Sequence, residues 1–291
     1  AARSEGGPMT AGPAALEVAR DGVKVGGPDA ESFLQGQLSQ NLAGLTADES
    51  RWSFLLEPTG KVVAWVRASR AGDGVFLLDV DHGFGGAVVE RLRRFLIRIS
   101  CTIEPVGLRM LAVRGPGSLD VAAEGAIGFD PAWPRVEGRD LVAAQITRPD
   151  GLASLAEDEL DRLRIRSGIP AMGREITSDV IPAELELVDR SVDFDKGCYT
   201  GQELVARIDS RGGNVPRRLR IVEIAGGVPP VGATVVGVGE SSGELSSVAE
   251  TPGGAIALSL VHRRIEAPAE VTVCWDDTER PARIRPVPTG E

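Results

Sequence analysis

The residues best equipped for chemistry lie in one stretch, Lys196-Gly197-Cys198-Tyr199-Thr200-Gly201-Gln202-Glu203-Leu204-Val205-Ala206-Arg207-Ile208-Asp209. The first half is compact and polar, and the second carries Leu204, Val205 and Ile208 at helical spacing. Gly197 and Gly201 bracket a thiol and let the backbone turn sharply around it. Cys198 then precedes a predicted helix start, where unpaired amides and the helix dipole favour an anion, and Lys196 adds a positive charge. A thiolate is more accessible in such a setting than at an ordinary cysteine. It could exchange sulfur or electrons with a partner, or serve as a metal ligand. The alternative is a structural cysteine in a well-formed turn. Cys101 and Cys274 lie in apolar, strand-like surroundings that suit an inert buried role.

Other polar sets admit two readings each. Arg91, Arg94 and Arg98 recur at spacings of three and four, so on a helix over residues 87–97 they share a face. That stripe suits an anionic tail or an acidic partner, or it is a solvated helix face. Gln35, Gln37, Gln40 and Asn41 surround a helix predicted over 29–39, whose apolar side is Ala30, Phe33, Leu34 and Leu38. Amides can read a planar heterocycle by paired hydrogen bonds, and they are also ordinary solvent-facing residues. Asp189, Asp193 and Asp195 precede Lys196 without the regular ligand pattern of a cation loop. They read as turn formers or hydrogen-bond acceptors, with Asp193 or Asp195 pairing with Lys196. Trp133, in a loop at 131–134, is a surface contact or closes a core edge. Neither Gly115-Pro116-Gly117 nor Gly237-Val238-Gly239 makes a dinucleotide fingerprint.

The elements that must position these residues follow from pattern. Strands are predicted over 52–56, 61–68 and 75–80, with Glu57-Pro58-Thr59-Gly60 turning the first pair into a meander. A second unit begins near Pro105, with strands over 108–113 and 141–146 and a helix through Ala123. Acidic Glu157-Asp158-Glu159 opens a helix that runs to Arg166 and stops at Gly168-Ile169-Pro170. Past Asp209, short apolar strands over 221–224, 234–238, 255–260 and 271–275 between glycine turns suggest a small barrel or sandwich. The proline-rich sequence from Arg280 reads as loosely held.

Composition narrows the function class. The 291 residues are 42% hydrophobic, 25% charged and only 4% aromatic, a globular composition whose core is aliphatic. The formal charge of −10 argues against a strong non-specific hold on nucleic acid. No apolar run approaches the roughly 20 residues of a membrane span. Residues 1–8 lack an apolar segment, and Met9 reads as a candidate native start. Three widely spaced cysteines, with no Cys-x-x-Cys pair, exclude a disulfide framework and suit a cytoplasmic protein, expected to be a monomer.

The run Lys196-Gly197-Cys198-Tyr199, one variable residue, then Gly201-Gln202-Glu203, resembles the signature of the YgfZ family. These are folate-binding relatives of the glycine-cleavage aminomethyltransferase, and the resemblance covers nearly the whole chain from about residue 10. It implies an α+β fold, the aminomethyltransferase-like folate-binding cloverleaf. In it, residues 9–209 form a folate-binding core of two interleaved α+β units, and 210–291 form a C-terminal β-barrel. It implies tetrahydrofolate or a derivative as cofactor, with Arg91, Arg94, Arg166, Gln35 and Gln37 as candidate contacts. It also implies iron–sulfur proteins or their assembly machinery as partners. The implied role is an accessory factor in assembling or maintaining iron–sulfur proteins, including support of tRNA-modifying enzymes. One chain offers too few thiolates for a cluster of its own, so Cys198 would be one ligand of a shared cluster. A folate-dependent one-carbon transferase and a non-catalytic folate scaffold are the alternatives. Two departures weigh against aminomethyl transfer. The transferase has a catalytic aspartate on the segment resembling Lys61-Val62-Val63-Ala64, and no aspartate occurs between Glu57 and Arg70. Within Arg164-Ile165-Arg166-Ser167-Gly168-Ile169-Pro170, Arg166 stands where the transferase has a pterin-contacting glutamate. Asp79 or Asp81 are the acids placed to substitute.

Overall fold

The computed structural model describes residues 12–47, 49–237 and 239–288, so Met9 lies outside the described residues. The chain opens with β1 (Ala14–Gly26), α1 (Ala30–Gln37), β2 (Ser50–Leu56), β3 (Val62–Gly72), β4 (Val75–Asp81) and α2 (Gly85–Arg93). There follow β5 (Thr102–Arg114), β6 (Ile127–Phe129), β7 (Gly138–Ala143), β8 (Ala153–Ser154) and α3 (Glu157–Arg166). The strands form one sheet in the order β2-β3-β4-β1-β5-β7-β6, with β8 pairing parallel to β1. β1 is its spine: it pairs with β5 from Ala14↔Arg114 to Gly26↔Thr102 and with β4 on its other edge. Phe33 and Leu34 of α1 and Val88 and Leu92 of α2 join Phe54, Val66 and Leu78 in the main core, so both helices pack on the sheet.

After α3 come two short helices, α4 (Val188–Ser191) and α5 (Gln202–Ser210). Then β9 (Arg217–Ala225), β10 (Thr234–Gly237), β11 (Glu240–Thr251), β12 (Gly254–His262), β13 (Ala269–Trp275) and β14 (Thr278–Pro286) close a barrel in the order β10-β11-β12-β9-β14-β13. The fold is therefore α+β with a C-terminal barrel. β12 shows how the barrel is attached. Its Ala255, Ala257 and Val261 fill the barrel interior, while Ile256 and Leu258 meet Ile165 of α3. A fully buried carboxylate completes the joint: Glu175 accepts from Arg164 Nη1 at 3.2 Å and from the hydroxyls of Ser246 and Ser247 at 2.7 and 2.6 Å. The Gly243–Ser247 stretch thus supplies hydroxyl groups to the core. No helix among the described residues is long and apolar enough to cross a membrane.

Several elements differ from the pattern reading. The segment from Arg280 is not loose: β14 alternates outward Arg283 with inward Ala282 and Ile284, which are buried in the barrel. The helix expected through Ala123 is one 3-10 turn, Ser118–Asp120. α2 ends at Arg93, and Arg98 has a left-handed φ of 57°, so the arginine stripe is not one helical face.

The sheet also buries a chain of charges. Asp79 bridges Arg20 and Arg67 at 2.6 and 2.7 Å, and Asp140 bridges Arg67 and Arg114 at 3.0 and 2.9 Å. Arg67 also lies over the rings of Trp52 and Phe129. Burial alone would raise the Asp79 carboxyl. The charges and hydrogen bonds of Arg67 and Arg20 outweigh it and hold the group below the usual carboxylate range. Asp81 is likewise engaged, by Arg20 and by the Met172 amide at 2.9 Å. Neither acid stands free to replace the aspartate missing from β3, because each is neutralised by arginine.

Candidate functional site

The Cys198 turn is built by anchors on both sides of an exposed tip. Upstream, the Asp193 amide donates to the Ser39 carbonyl at 3.0 Å, and Asp193 Oδ1 accepts from the amides of Asp195 and Lys196. Lys196 Nζ donates to the carbonyls of Leu38 and Gln40 at 2.7 and 2.8 Å. Downstream, the Thr200 amide donates to the Gly36 carbonyl at 3.0 Å, Tyr199 is buried in the main core, and its amide donates to Gln202 Oε1 at 3.3 Å. Gly201 is left-handed at φ 85°, and a Cβ there would stand 2.7 Å from the Glu57 carbonyl oxygen. Only glycine fits that approach. Gly197 and Cys198 are left exposed, as is Glu203.

These contacts correct three local expectations. The helix begins at Gln202, capped by Gly201, so Cys198 stands outside its first turn. The ammonium of Lys196 is directed into carbonyls at the end of α1, making it a clamp rather than a charge offered to the thiol. Burial pushes it down to about 8, against the opposing pull of Asp193. Asp193 acts on backbone amides of the turn, not through an ion pair with Lys196. Tyr199 has a buried hydroxyl without a partner, and burial pushes its phenol up to about 12. Cys101 and Cys274 are half-buried, and burial raises both thiols, with Asp29 and Glu279 adding to the effect.

None of the five residues expected to contact folate lines either of the two cavities described below. Arg91 is buried, donating to the Leu56 carbonyl at 2.6 Å and to Gln37 Oε1 at 3.2 Å, with Phe95 stacked at 4.1 Å. Gln35 donates to Asn41 Oδ1 at 2.7 Å and accepts from the Leu42 amide. Both amides therefore tie α1 to its neighbours. Arg94 is exposed beside Glu90, and Arg166 is exposed at the end of α3. The buried arginine of that segment is Arg164, bound to Asp161, Glu175 and Ser247.

Two cavities open in the molecule, the first against the Cys198 segment. One of about 320 Å³ lies between α5, through Leu204, Val205 and Ile208, and barrel residues Arg218 and Arg220. A larger one, of about 520 Å³, lies between the 130–137 loop and α4, with Trp133, Arg135 and Arg190 in its wall. Glu186 and Asp189 line both. Glu186 accepts from Arg218 and Arg220 at 3.1 and 2.8 Å, whereas Asp189 is exposed and makes no side-chain hydrogen bond among the described residues. Arg190 donates to the Ala132 carbonyl at 2.7 Å and, among the described residues, has no carboxylate in contact. Burial lowers its pKa, and the nearby charges of Asp130 and Asp189 do not restore it. The larger cavity thus offers an aromatic ring, several acids including Asp130 and Asp189, and a cation that no carboxylate touches among the described residues. That donor set fits a reduced folate, which carries a planar heterocycle with N–H donors and an anionic tail. Sequence pattern singled out Trp133 only as a contact or an edge closer, and Arg190 not at all. Nothing local marks an arginine as unpaired.

No family model matches the chain. Human mitochondrial iron-sulfur cluster assembly factor IBA57 is 31% identical over 264 residues, spanning 79% of this chain and 72% of that protein. The chain belongs to the YgfZ/IBA57 family. Within this family, the tRNA-modifying protein YgfZ of Escherichia coli O7:K1 is 25% identical over 291 residues, 90% of this chain and 88% of its own. YgfZ of Edwardsiella ictaluri is 28% identical over 224 residues, 66% of this chain and 65% of its own. Among solved structures, aminomethyltransferase T of the Bartonella henselae glycine cleavage system superposes with a TM-score of 0.79. It covers 96% of this chain and 86% of that one at 18% identity, a likeness of fold.

Proposed function

We propose that this YgfZ/IBA57-family chain is a folate-binding accessory factor in the assembly or maintenance of iron–sulfur proteins, among them enzymes that modify tRNA. The observation that carries the reading is the Cys198 turn: one exposed thiol at a tip whose two flanks are anchored to α1 and the core. A pinned turn presents sulfur to a partner with little ordering cost on docking. The cluster is cargo. Cys198 would lose its proton to solvent and supply one thiolate, while the partner supplies the remaining ligands. The names of the human and bacterial relatives support this cargo and these clients.

Tetrahydrofolate is the proposed cofactor, held in the larger cavity by Trp133, Asp189 and Arg190. When bound, it supplies a reduced pteridine able to carry a one-carbon unit. The chain's own groups do not support aminomethyl transfer. β3 lacks the acid, and Asp79 and Asp81 are held by arginine, so no free carboxylate there can stabilise developing positive charge. Purified protein should give no folate-dependent one-carbon transfer above background. The accessory role is tested in cells lacking their own family member: expression of this chain should restore the activity of an iron–sulfur tRNA-modifying enzyme. Unchanged activity, with the protein folded and abundant, would overturn the reading.

A further inference from the structure

We propose that Arg190 is the anchor for the ligand's anionic end in the larger cavity, which makes the ligand class a planar ring bearing a carboxylate tail. The inference rests on the folate reading and names which group of this chain reads the tail.

The partners of Arg190, which is partly buried in the cavity wall, differ from those of the buried arginines. Arg20, Arg67, Arg91, Arg114 and Arg164 each have at least one carboxylate within 4 Å. Arg190 meets a single backbone carbonyl, that of Ala132, at 2.7 Å. No carboxylate among the described residues touches the Arg190 guanidinium, although Asp130 and Asp189 lie near it, and a bound carboxylate would add the charge-assisted hydrogen bonds it lacks. A guanidinium with one Nη engaged keeps a second edge for a carboxylate.

Backbone strain gathers at the same wall. Among the described residues, five non-glycine positions have left-handed φ, and three of them line this cavity: Ala132 at 56°, Arg135 at 64° and Glu186 at 57°. Such conformations persist where surrounding structure enforces them, and they concentrate at ligand clamps. Here the strained pair Ala132 and Arg135 flanks Trp133-Pro134 and sets Trp133 in the wall. The Trp133 ring rests on the Arg114 guanidinium at 4.1 Å, and Arg114 Nε is buried without a partner. Arg114 in turn backs the wall at Gly138, where a Cβ would meet its Cδ at 2.9 Å. The ring is thus fixed from behind by the buried charge chain, with Asp189 and Arg190 in the same wall, neither in a direct ion pair among the described residues.

The test is calorimetric titration of the full chain, under anaerobic conditions, with tetrahydrofolate and with tetrahydropteroate, which lacks the glutamate tail. Wild type, Arg190→Ala and Arg190→Lys are compared, with thermal unfolding as the check on folding. Wild type should bind tetrahydrofolate about tenfold or more tighter than tetrahydropteroate. Arg190→Ala should bind both at the tetrahydropteroate level, and Arg190→Lys should keep part of the preference. If the alanine variant does not fold, the lysine variant carries the comparison. A folded variant with the full wild-type preference would overturn the assignment. Equal binding of both compounds by wild type would overturn it while leaving the folate reading intact. No binding of either by folded wild type would remove the folate reading and the inference together.

Discussion

Arg67 is fully buried and Arg190 partly so, in opposite company. Arg67 is 1% exposed, meets Asp79 and Asp140, and is sandwiched by Trp52 and Phe129. Arg190 borders a cavity, meets one carbonyl and, among the described residues, touches no carboxylate, with Asp130 and Asp189 only nearby. A buried charge whose partners are all protein groups belongs to the architecture. One whose partners are incomplete, beside open volume and strained backbone, marks a place for something else. The same contrast separates the cysteines: Cys101 and Cys274 are half-enclosed, whereas Cys198 is held out by clamps that do not cover it.

The largest effect should come from the architectural side. Asp79→Asn leaves Arg20 and Arg67 without their shared counter-charge in the sheet. It should cost about 3–5 kcal/mol in denaturant unfolding. A loss within about 0.5 kcal/mol of Arg190→Ala would erase the distinction drawn here. A smaller loss, about 1–3 kcal/mol, is expected for Gly201→Ala, which combines an unfavourable φ with a clash at the Glu57 carbonyl. A wild-type unfolding midpoint in that variant would show that the turn is not pinned there.

The smallest effect is a pH dependence. The folded pKa of Lys196 is about 8, below its ordinary value, so between about pH 8 and 10 the unfolded chain binds more protons than the native one. Stability from this group therefore rises with pH across that window and is lowest below it, where the ammonium is charged in both states. The difference in unfolding free energy between wild type and Lys196→Met isolates it from Tyr199, which titrates higher and in the opposite sense. That difference should move toward wild type as pH rises from 8 to 10. A flat difference would mean that the ammonium is better hydrated than its two carbonyl partners imply.

Local pattern sufficed where the governing contacts are local. The meander from β2 to β4 follows from apolar runs and the Glu57–Gly60 turn, while regularly spaced short strands point to a barrel or a sandwich, of which the chain forms the barrel. Turn glycines also placed Cys198 at a bend. Pattern failed where distant residues decide. Lys196 reaches carbonyls 158 and 156 residues away, so its side chain leaves the thiol it follows in sequence. Arg67 finds Asp140 across 73 residues. The Arg91 stripe dissolves because α2 ends at Arg93 and the chain turns left-handed at Arg98. β14 was hidden by its prolines, since alternation of Ala282 and Ile284 outweighs Pro281 once a barrel interior exists. Arg190 has an unremarkable neighbourhood in sequence, and what distinguishes it is that its partner in space is a carbonyl and, among the described residues, not a carboxylate.

The central claim is that Cys198 is the working thiol of the accessory role. Its most direct test expresses Cys198→Ser at the wild-type level in cells that lack their own family member, and measures a dependent iron–sulfur enzyme. Serine keeps the size of an exposed side chain on a turn held by Lys196, Tyr199 and Thr200, so folding and tetrahydrofolate binding should match wild type. The account predicts that the enzyme's activity falls toward that of cells without the protein. Full activity with the serine variant would contradict it.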